Sequence, residues 1–145
     1  MHRAAALHLA PPVTLQPQYS LLVRDIEHEV VPAALDASIG LLPWSPLGGG
    51  WLTGKHKRDV APTGAHEATA SQVAIAWLLA QPAVTSVILG ARSVAQLVNN
   101  LGASDVDLTA DEVARLGSVS APRVDDYPYG FGGVAQRRRN IEGGR

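Results

Sequence analysis

"GLLPWSPLGGGWLTGK", residues 40–55, sets the reading of this chain. Leu41 to Trp44 is an apolar run of strand length, and it empties into Ser45, Pro46, Leu47 and three consecutive glycines. A tight turn uses one or two glycines. Three in a row, between Ser45 and Lys55, suit a loop whose backbone is approached closely by another molecule. In α/β folds ligands sit at the carboxyl ends of parallel strands. At such a place Trp44 offers a flat apolar face for ring stacking. Ser45 and the glycine N–H groups can reach an anion, and Lys55 adds charge. The same residues also fit a plainer role, with Trp44 in the core and the glycines as a flexible connection.

The chain on either side repeats the pattern. Val13–Gln16 is β-prone after the Pro11-Pro12 breaker, and Pro17 stops it. Ile26, Val30, Ala33, Ala34 and Ala37 fall at helical spacing. Pro32 is expected to kink that helix or sit in its first turns, and Gly40 is expected as its C-cap. Residues 45–68 read as loop. A helix follows, capped by Thr69 or Ser71 and apolar nearly all round from Val73 to Leu79, so it should be well buried. Thr85–Leu89 is a third apolar strand. Ser93 and Thr109 each open a further helix, with Gln96 and Glu112 at the capping-box offset. From Pro122 onward the chain is Gly- and Arg-rich without a period, and a mobile tail is expected. Short apolar strands alternating with helices specify an α/β fold, a parallel sheet covered by helices.

The bulk composition narrows the function classes. The chain has 145 residues, 46% of them hydrophobic and 17% charged, a globular composition. A net charge of −1 creates no field that recruits nucleic acid or an acidic membrane, so neither is expected as a partner. With no cysteine, disulfides and thiolate metal sites are excluded. MHRAAALHLAPP is a poor signal peptide, because its apolar stretch is short, broken by His8 and followed by two prolines. No run reaches the roughly 18 apolar residues of a membrane span, and a cytoplasmic location is the expectation. His2, His8, His28, His56 and His66 show no metal-ligand spacing, and no metal is expected. Glu27-His28-Glu29 reads as a solvated helix face, and Arg137–Arg139 as part of a solvated tail. Asp125, Asp126, Tyr127 and Tyr129 cluster in sequence without a geometry that makes them catalytic.

Two further strand ends carry chemistry. In Ile88–Gln96, followed by Asn99-Asn100, a strand feeds a turn and a helix begins. The first turn of that helix has open N–H groups and the positive end of the dipole, which suits a phosphate. Gly90 lets a ligand near the backbone, and Arg92 can grip phosphate oxygens with two donors. Gln96 and Asn100, four residues apart, share the face rising from that point. A well-capped surface helix with an ordinary exposed arginine is the plainer reading. Gln16, at the end of the first strand, can bond an amide of a ligand or simply face water.

The segments 15–35 ("LQPQYSLLVRDIEHEVVPAAL"), 40–55 and 86–103 ("SVILGARSVAQLVNNLGA"), taken in order, resemble the C-terminal half of an aldo/keto reductase. The branch most similar includes bacterial NADP-dependent reductases and the potassium-channel β subunits, and the resemblance covers roughly residues 12–125. It implies part of a (β/α)8 TIM barrel, strands six to eight with their helices, without the N-terminal half. Residues 1–12 would be a remnant segment, 13–121 the half-barrel and 122–145 the tail. The resemblance implies NADP(H) as cofactor. Gln16 then matches the residue that bonds the nicotinamide carboxamide, and Trp44 the aromatic stacked on the nicotinamide ring. Ser45, Pro46, Leu47, Gly48 and Gly49 match the segment along the pyrophosphate, and Lys55 matches its lysine. Gly90, Arg92, Gln96 and Asn100 match the adenosine and 2′-phosphate pocket, with Asn99 adjacent.

The chain departs from the family in two places. The catalytic tetrad of the family is Asp, Tyr, Lys and His, all from the first half of the barrel. No Tyr, Lys or His of this chain stands in a matching motif, so no catalytic residue is nominated. Between Gly64 and Thr69 the family has a longer stretch, and "PTGAHEATASQ" reads as an internal deletion there. Three barrel strands leave open edges, through which self-association is expected. The resemblance implies an oxidoreductase reducing aldehydes or ketones when the full barrel is present, with this chain inactive alone. The alternatives are a non-catalytic nucleotide-binding or regulatory module and a decayed gene product.

Overall fold

The structure, a computed structural model, describes residues 4, 6–54 and 68–122. Lys55, His56, His66, the 64–69 junction up to residue 67 and the tail beyond residue 122 lie outside the described residues. The ordered elements are β1 (Thr14–Leu15), α1 (Val30–Asp36), β2 (Gly40–Leu41), α2 (Ala70–Leu79), α3 (Val94–Leu101) and α4 (Ala110–Val119). Short 3-10 turns stand at Asp25–Glu27, Gly48–Thr53 and Gly102–Asp105.

The sheet is parallel, as the alternation of strands and helices requires. β1 pairs with β2 in the register Thr14 with Gly40 and Leu15 with Leu41. The expected third strand, Thr85–Leu89, does not form as a strand: the segment runs along the other side of β2 and its one bridge, Leu41 with Val84, falls just before it. Backbone bonds extend that contact, from Leu41 N–H to Ala83, Thr85 N–H to Leu41 and Ile88 N–H to Pro43. β2 is therefore central, flanked by β1 and residues 83–88. Gly40 is not the C-cap of α1. It is the first residue of β2, where a Cβ would stand 2.3 Å from Thr85 Oγ1. The turn after α1 falls two residues earlier. Ser38 is left-handed (φ 54°), its N–H reaches Leu35 O at 3.2 Å, and Ile39 N–H reaches Ala34 O at 2.8 Å. That is a Schellman closure with serine where glycine is usual. Pro32 is the third residue of α1, in the first turn, where it costs no hydrogen bond.

The helix caps follow the sequence. Thr69 and Gln72 close a full capping box on α2, and Thr109 and Glu112 close one on α4. α2 is the central helix, with Ala74, Ile75, Ala76, Trp77 and Leu78 buried. Trp77 and Leu78 join Tyr19 and Leu21 in the main core, against Val84, Val87, Val113 and Leu116. A smaller core holds Ala34, Leu41 and Ala83. On α3, Val94, Leu97, Val98 and Leu101 are all exposed along one face.

Candidate functional site

Trp44 stands at the carboxyl end of β2. Its N–H donates to Pro17 O at 3.0 Å and its carbonyl accepts from Tyr19 N–H at 3.4 Å, so the segment after β1 holds its backbone. Strand alternation sends Leu41 and Pro43 into the buried side, with Trp44 on the other. The Trp44 side chain is 44% exposed, which removes the reading of Trp44 as core.

Past Trp44 the backbone turns left-handed repeatedly, with φ 58° at Ser45, 56° at Gly48, 66° at Gly49, 105° at Gly50 and 75° at Gly54. Only glycine adopts this region freely, so the three consecutive glycines are a conformational requirement. At Ser45 the same geometry is strained, the kind of backbone that concentrates at ligand sites. A Cβ on Gly49 or Gly50 would meet nothing within 4 Å, whereas one on Gly48 would come to 2.7 Å from Leu22 Cδ1. Gly48 therefore packs inward while its neighbours border open space. Leu47 (φ −98°, ψ 12°) followed by left-handed Gly48 is a pair that turns N–H groups to one concave side suited to an anion. The N–H groups of Ser45 and Leu47 have no partner among the described residues.

The opposite wall begins at Ile88, held beside β2 by its bond to Pro43, and continues into α3. Ser93 caps α3, its Oγ accepting from Gln96 N–H at 3.2 Å. The Gln96 side chain reaches back past the cap, and its Oε1 accepts from Arg92 N–H at 2.9 Å. Its amide nitrogen makes no bond among the described residues. The Thr69 hydroxyl donates to Asn99 Oδ1 at 3.2 Å, tying α3 to the start of α2. Asn100 is 5% exposed, and its side-chain amide has no hydrogen-bond partner among the described residues. A Cβ on Gly90 would meet nothing within 4 Å.

These walls enclose a cavity of about 1060 Å³. It brings together Trp44, Ser45, Pro46, Leu47, Gly49, Gly90, Arg92, Gln96, Asn99 and Asn100. Gln16 stands one residue past β1, exposed and outside the lining, and Gly48 faces Leu22 instead. Thr53, Thr69 and Ser71 also line the cavity, and sequence reasoning had not nominated them. The available signal was the doubled candidate cap, Thr69 or Ser71. Thr69 caps the helix, which leaves Ser71 for another task.

Tyr19, Arg24 and Glu27 form a polar cluster, of which the sequence reading took Glu27 for part of a solvated face. The Tyr19 hydroxyl donates to Glu27 Oε1 at 2.6 Å, and Arg24 grips the same carboxylate through Nε at 2.8 Å and Nη2 at 2.9 Å. Arg24 Nη1 donates to Gly117 O and, at 3.0 Å, to Ser120 Oγ, so a cation from another element closes the carboxyl end of α4. The guanidinium also lies 5.0 Å over the Trp77 ring. Burial pushes the Glu27 carboxyl up, but the bonds from Arg24 and Tyr19 outweigh it and hold the carboxyl below its ordinary value. Burial, with the Glu27 bond, drives the Tyr19 phenol far above its ordinary value. Glu27 is thus a partly buried structural anion, not part of a solvated face.

Among the described residues no cluster of three His, Cys, Asp or Glu side chains could hold a metal, and no helix is long and apolar enough to cross a membrane. The profile of the Aldo/keto reductase family matches residues 1–69 and 63–121. The chain is 35% identical over 133 residues to "Uncharacterized oxidoreductase YrpG" of Bacillus subtilis (strain 168), covering 74% of this chain and 40% of that protein. It is 32% identical to "Aldo-keto reductase str7" of Strobilurus tenacellus, covering 80% and 44%. To a "Probable voltage-gated potassium channel subunit beta" of Arabidopsis thaliana it is 32% identical, covering 71% and 42%. The chain spans about two fifths of the length of these relatives. The 133-residue alignment is longer than the 74% of this 145-residue chain that it engages, so YrpG carries residues there with no counterpart here.

Proposed function

The chain belongs to the aldo/keto reductase family, and on that premise we propose that it forms the NADP(H)-binding part of a carbonyl-reducing oxidoreductase. The observation that carries this reading is the cavity. It collects ten of the residues that the family resemblance assigns to the dinucleotide, drawn from two separate strand ends. Its chemistry fits the cofactor. The wall at Trp44 is aromatic and open, the loop after it offers N–H groups of Ser45 and Leu47 unpaired among the described residues, and the largely buried Asn100 lines the opposite wall.

NADPH, when bound, supplies the hydride. Trp44 orients the ring by stacking, the 45–49 backbone holds the pyrophosphate, and Arg92 with the α3 N-terminus takes the 2′-phosphate. Lys55 would join them from outside the described residues. The segments around β1, β2 and residues 83–88 correspond in this reading to barrel strands six to eight. The proton donor of the family tetrad has no counterpart in the motifs of this chain, so the chain alone binds cofactor without reducing a carbonyl. An internal deletion near Gly64–Thr69 is supported by the division of the family match into two segments that meet at 63–69.

Titration of the chain with NADPH, followed by tryptophan emission, tests the reading. Saturable quenching is expected, largely lost in Trp44→Phe, because Trp77 is buried and neither it nor the exposed Trp51 lines the cavity. Arg92→Ala should weaken NADPH by roughly tenfold or more and leave NADH nearly unchanged, as removal of a charge-assisted phosphate contact does. A folded chain without quenching, or equal losses for both coenzymes, would overturn the assignment. Rapid NADPH-dependent reduction of an aldehyde by the pure chain would overturn its inactivity.

A further inference from the structure

The cavity wall at residues 44–48 rests against the turn that follows β1. We propose that Ser20 is a positioning residue for this wall: its buried hydroxyl fixes the turn Ser20–Val23, which seats Trp44 through Tyr19 and Gly48 through Leu22. The inference rests on the dinucleotide reading for the ligand that the wall holds.

Ser20 is 0% exposed, and its side chain serves the backbone beside it. Its Oγ accepts from Leu22 N–H at 3.1 Å and from Val23 N–H at 3.2 Å. A hydroxyl has two lone pairs, and on so short a side chain both reach neighbouring N–H groups. Ser20 N–H also donates to Val23 O at 3.1 Å, and Val23 N–H to Ser20 O at 3.2 Å. Alanine at this position would keep that backbone pair. Leu22 N–H, however, would lose its one acceptor among the described residues. The hydroxyl thus holds Leu22 at the tip of the turn.

Both sides of the turn touch the wall. On one side Tyr19 N–H donates to Trp44 O at 3.4 Å, and Gln18 bridges Trp44 in parallel. On the other the Leu22 side chain lies against Gly48, where a Cβ would stand 2.7 Å from Cδ1 and 3.6 Å from Cγ. Gly48 is left-handed (φ 56°) and, with Leu47, forms the pair that turns N–H groups toward an anion. A run of glycines has no side chains of its own to hold that shape, so the support comes from outside the loop. Neither Ser20 nor Leu22 lines the cavity, and both act through residues that do or that border them. Leu22 is half exposed and belongs to neither core cluster.

The test compares Ser20→Ala and Leu22→Ala with the unaltered chain. Amide hydrogen exchange is read without ligand, and NADPH and adenosine 2′-monophosphate are then titrated. Leu22→Ala keeps the hydroxyl and the core, so it serves even if Ser20→Ala fails to fold. In both variants the Trp44, Gly48 and Gly50 amides, each bonded within the wall, should exchange about fivefold faster while those of α2 keep their rates. NADPH should bind about fivefold more weakly, the equivalent of one lost neutral hydrogen bond. Adenosine 2′-monophosphate, assigned to the α3 wall alone, should keep its affinity. Unchanged exchange at the three amides, full NADPH affinity in both variants, or equal weakening of both ligands would overturn the positioning role. If the unaltered chain still binds NADPH, those results leave the dinucleotide reading standing. Faster exchange in variants of a chain that binds no NADPH would keep the turn as the support of the wall and remove the dinucleotide reading.

Discussion

Arg24→Ala is the most informative single perturbation of this fold. The guanidinium is 12% exposed and its partner carboxylate 25%, so the pair is mostly out of water. Truncation deletes two bonds to Glu27, two to the end of α4 and the contact with the Trp77 ring. It also leaves Glu27 and the Tyr19 hydroxyl sharing a buried place with an uncompensated charge. Removing one partner of a fully buried pair costs about 3–5 kcal/mol. The residual exposure screens this pair, which brings the expected loss to about 2–3 kcal/mol. For a chain of this length that lowers Tm by roughly 5–10 °C. Urea unfolding, followed by far-UV circular dichroism and by tryptophan emission, measures it. Arg24→Lys should recover less than half, because an ammonium cannot grip a carboxylate with a planar fork and close a helix end together. A loss below about 0.5 kcal/mol in Arg24→Ala would refute the reasoning, since it is the size of an exposed ion pair.

The same cluster sets a pH dependence. The Glu27 carboxyl is held below its ordinary value of 4.5 in the fold, so its stabilisation is complete above that value and is lost as the pH falls through the lower folded value. Glu27→Gln should flatten the acid limb of a stability-against-pH curve, and an unchanged slope would contradict it. Ser38→Gly should raise stability by about 1 kcal/mol, because the residue is left-handed at the end of α1 and glycine carries no penalty there; chemical denaturation would register the gain. Gly40→Ala should cost about 1–3 kcal/mol by driving a Cβ into Thr85 Oγ1, and Thr85→Ala in the same chain should return much of it. Additive losses in that double variant would contradict the packing account.

Local rules in the sequence determined much of this protein. Thr69 with Gln72, Thr109 with Glu112 and Ser93 at the head of α3 cap their helices because capping depends on residues three apart. The glycines at 48–50 announced left-handed backbone, since no other residue adopts it freely, and Arg92 and Asn100 were legible as cavity-lining residues from strand-to-helix order. Tertiary packing decided the rest. Gly40 looked like a helix end, but its glycine answers to Thr85, which is distant in sequence. Glu27 looked solvated because its neighbours are polar, and only Arg24 and Tyr19 folding onto it made it a partly buried anion. Gln16 stands one residue past β1 and missed the cavity, whereas Ser71, one of two candidate caps, entered it. Sequence spacing fixes which groups a helix turn or strand end presents. Which of them meet across a cavity depends on where α2 and α3 pack: Trp77 and Leu78 seat α2 in the core, and the Thr69–Asn99 bond ties α3 to it.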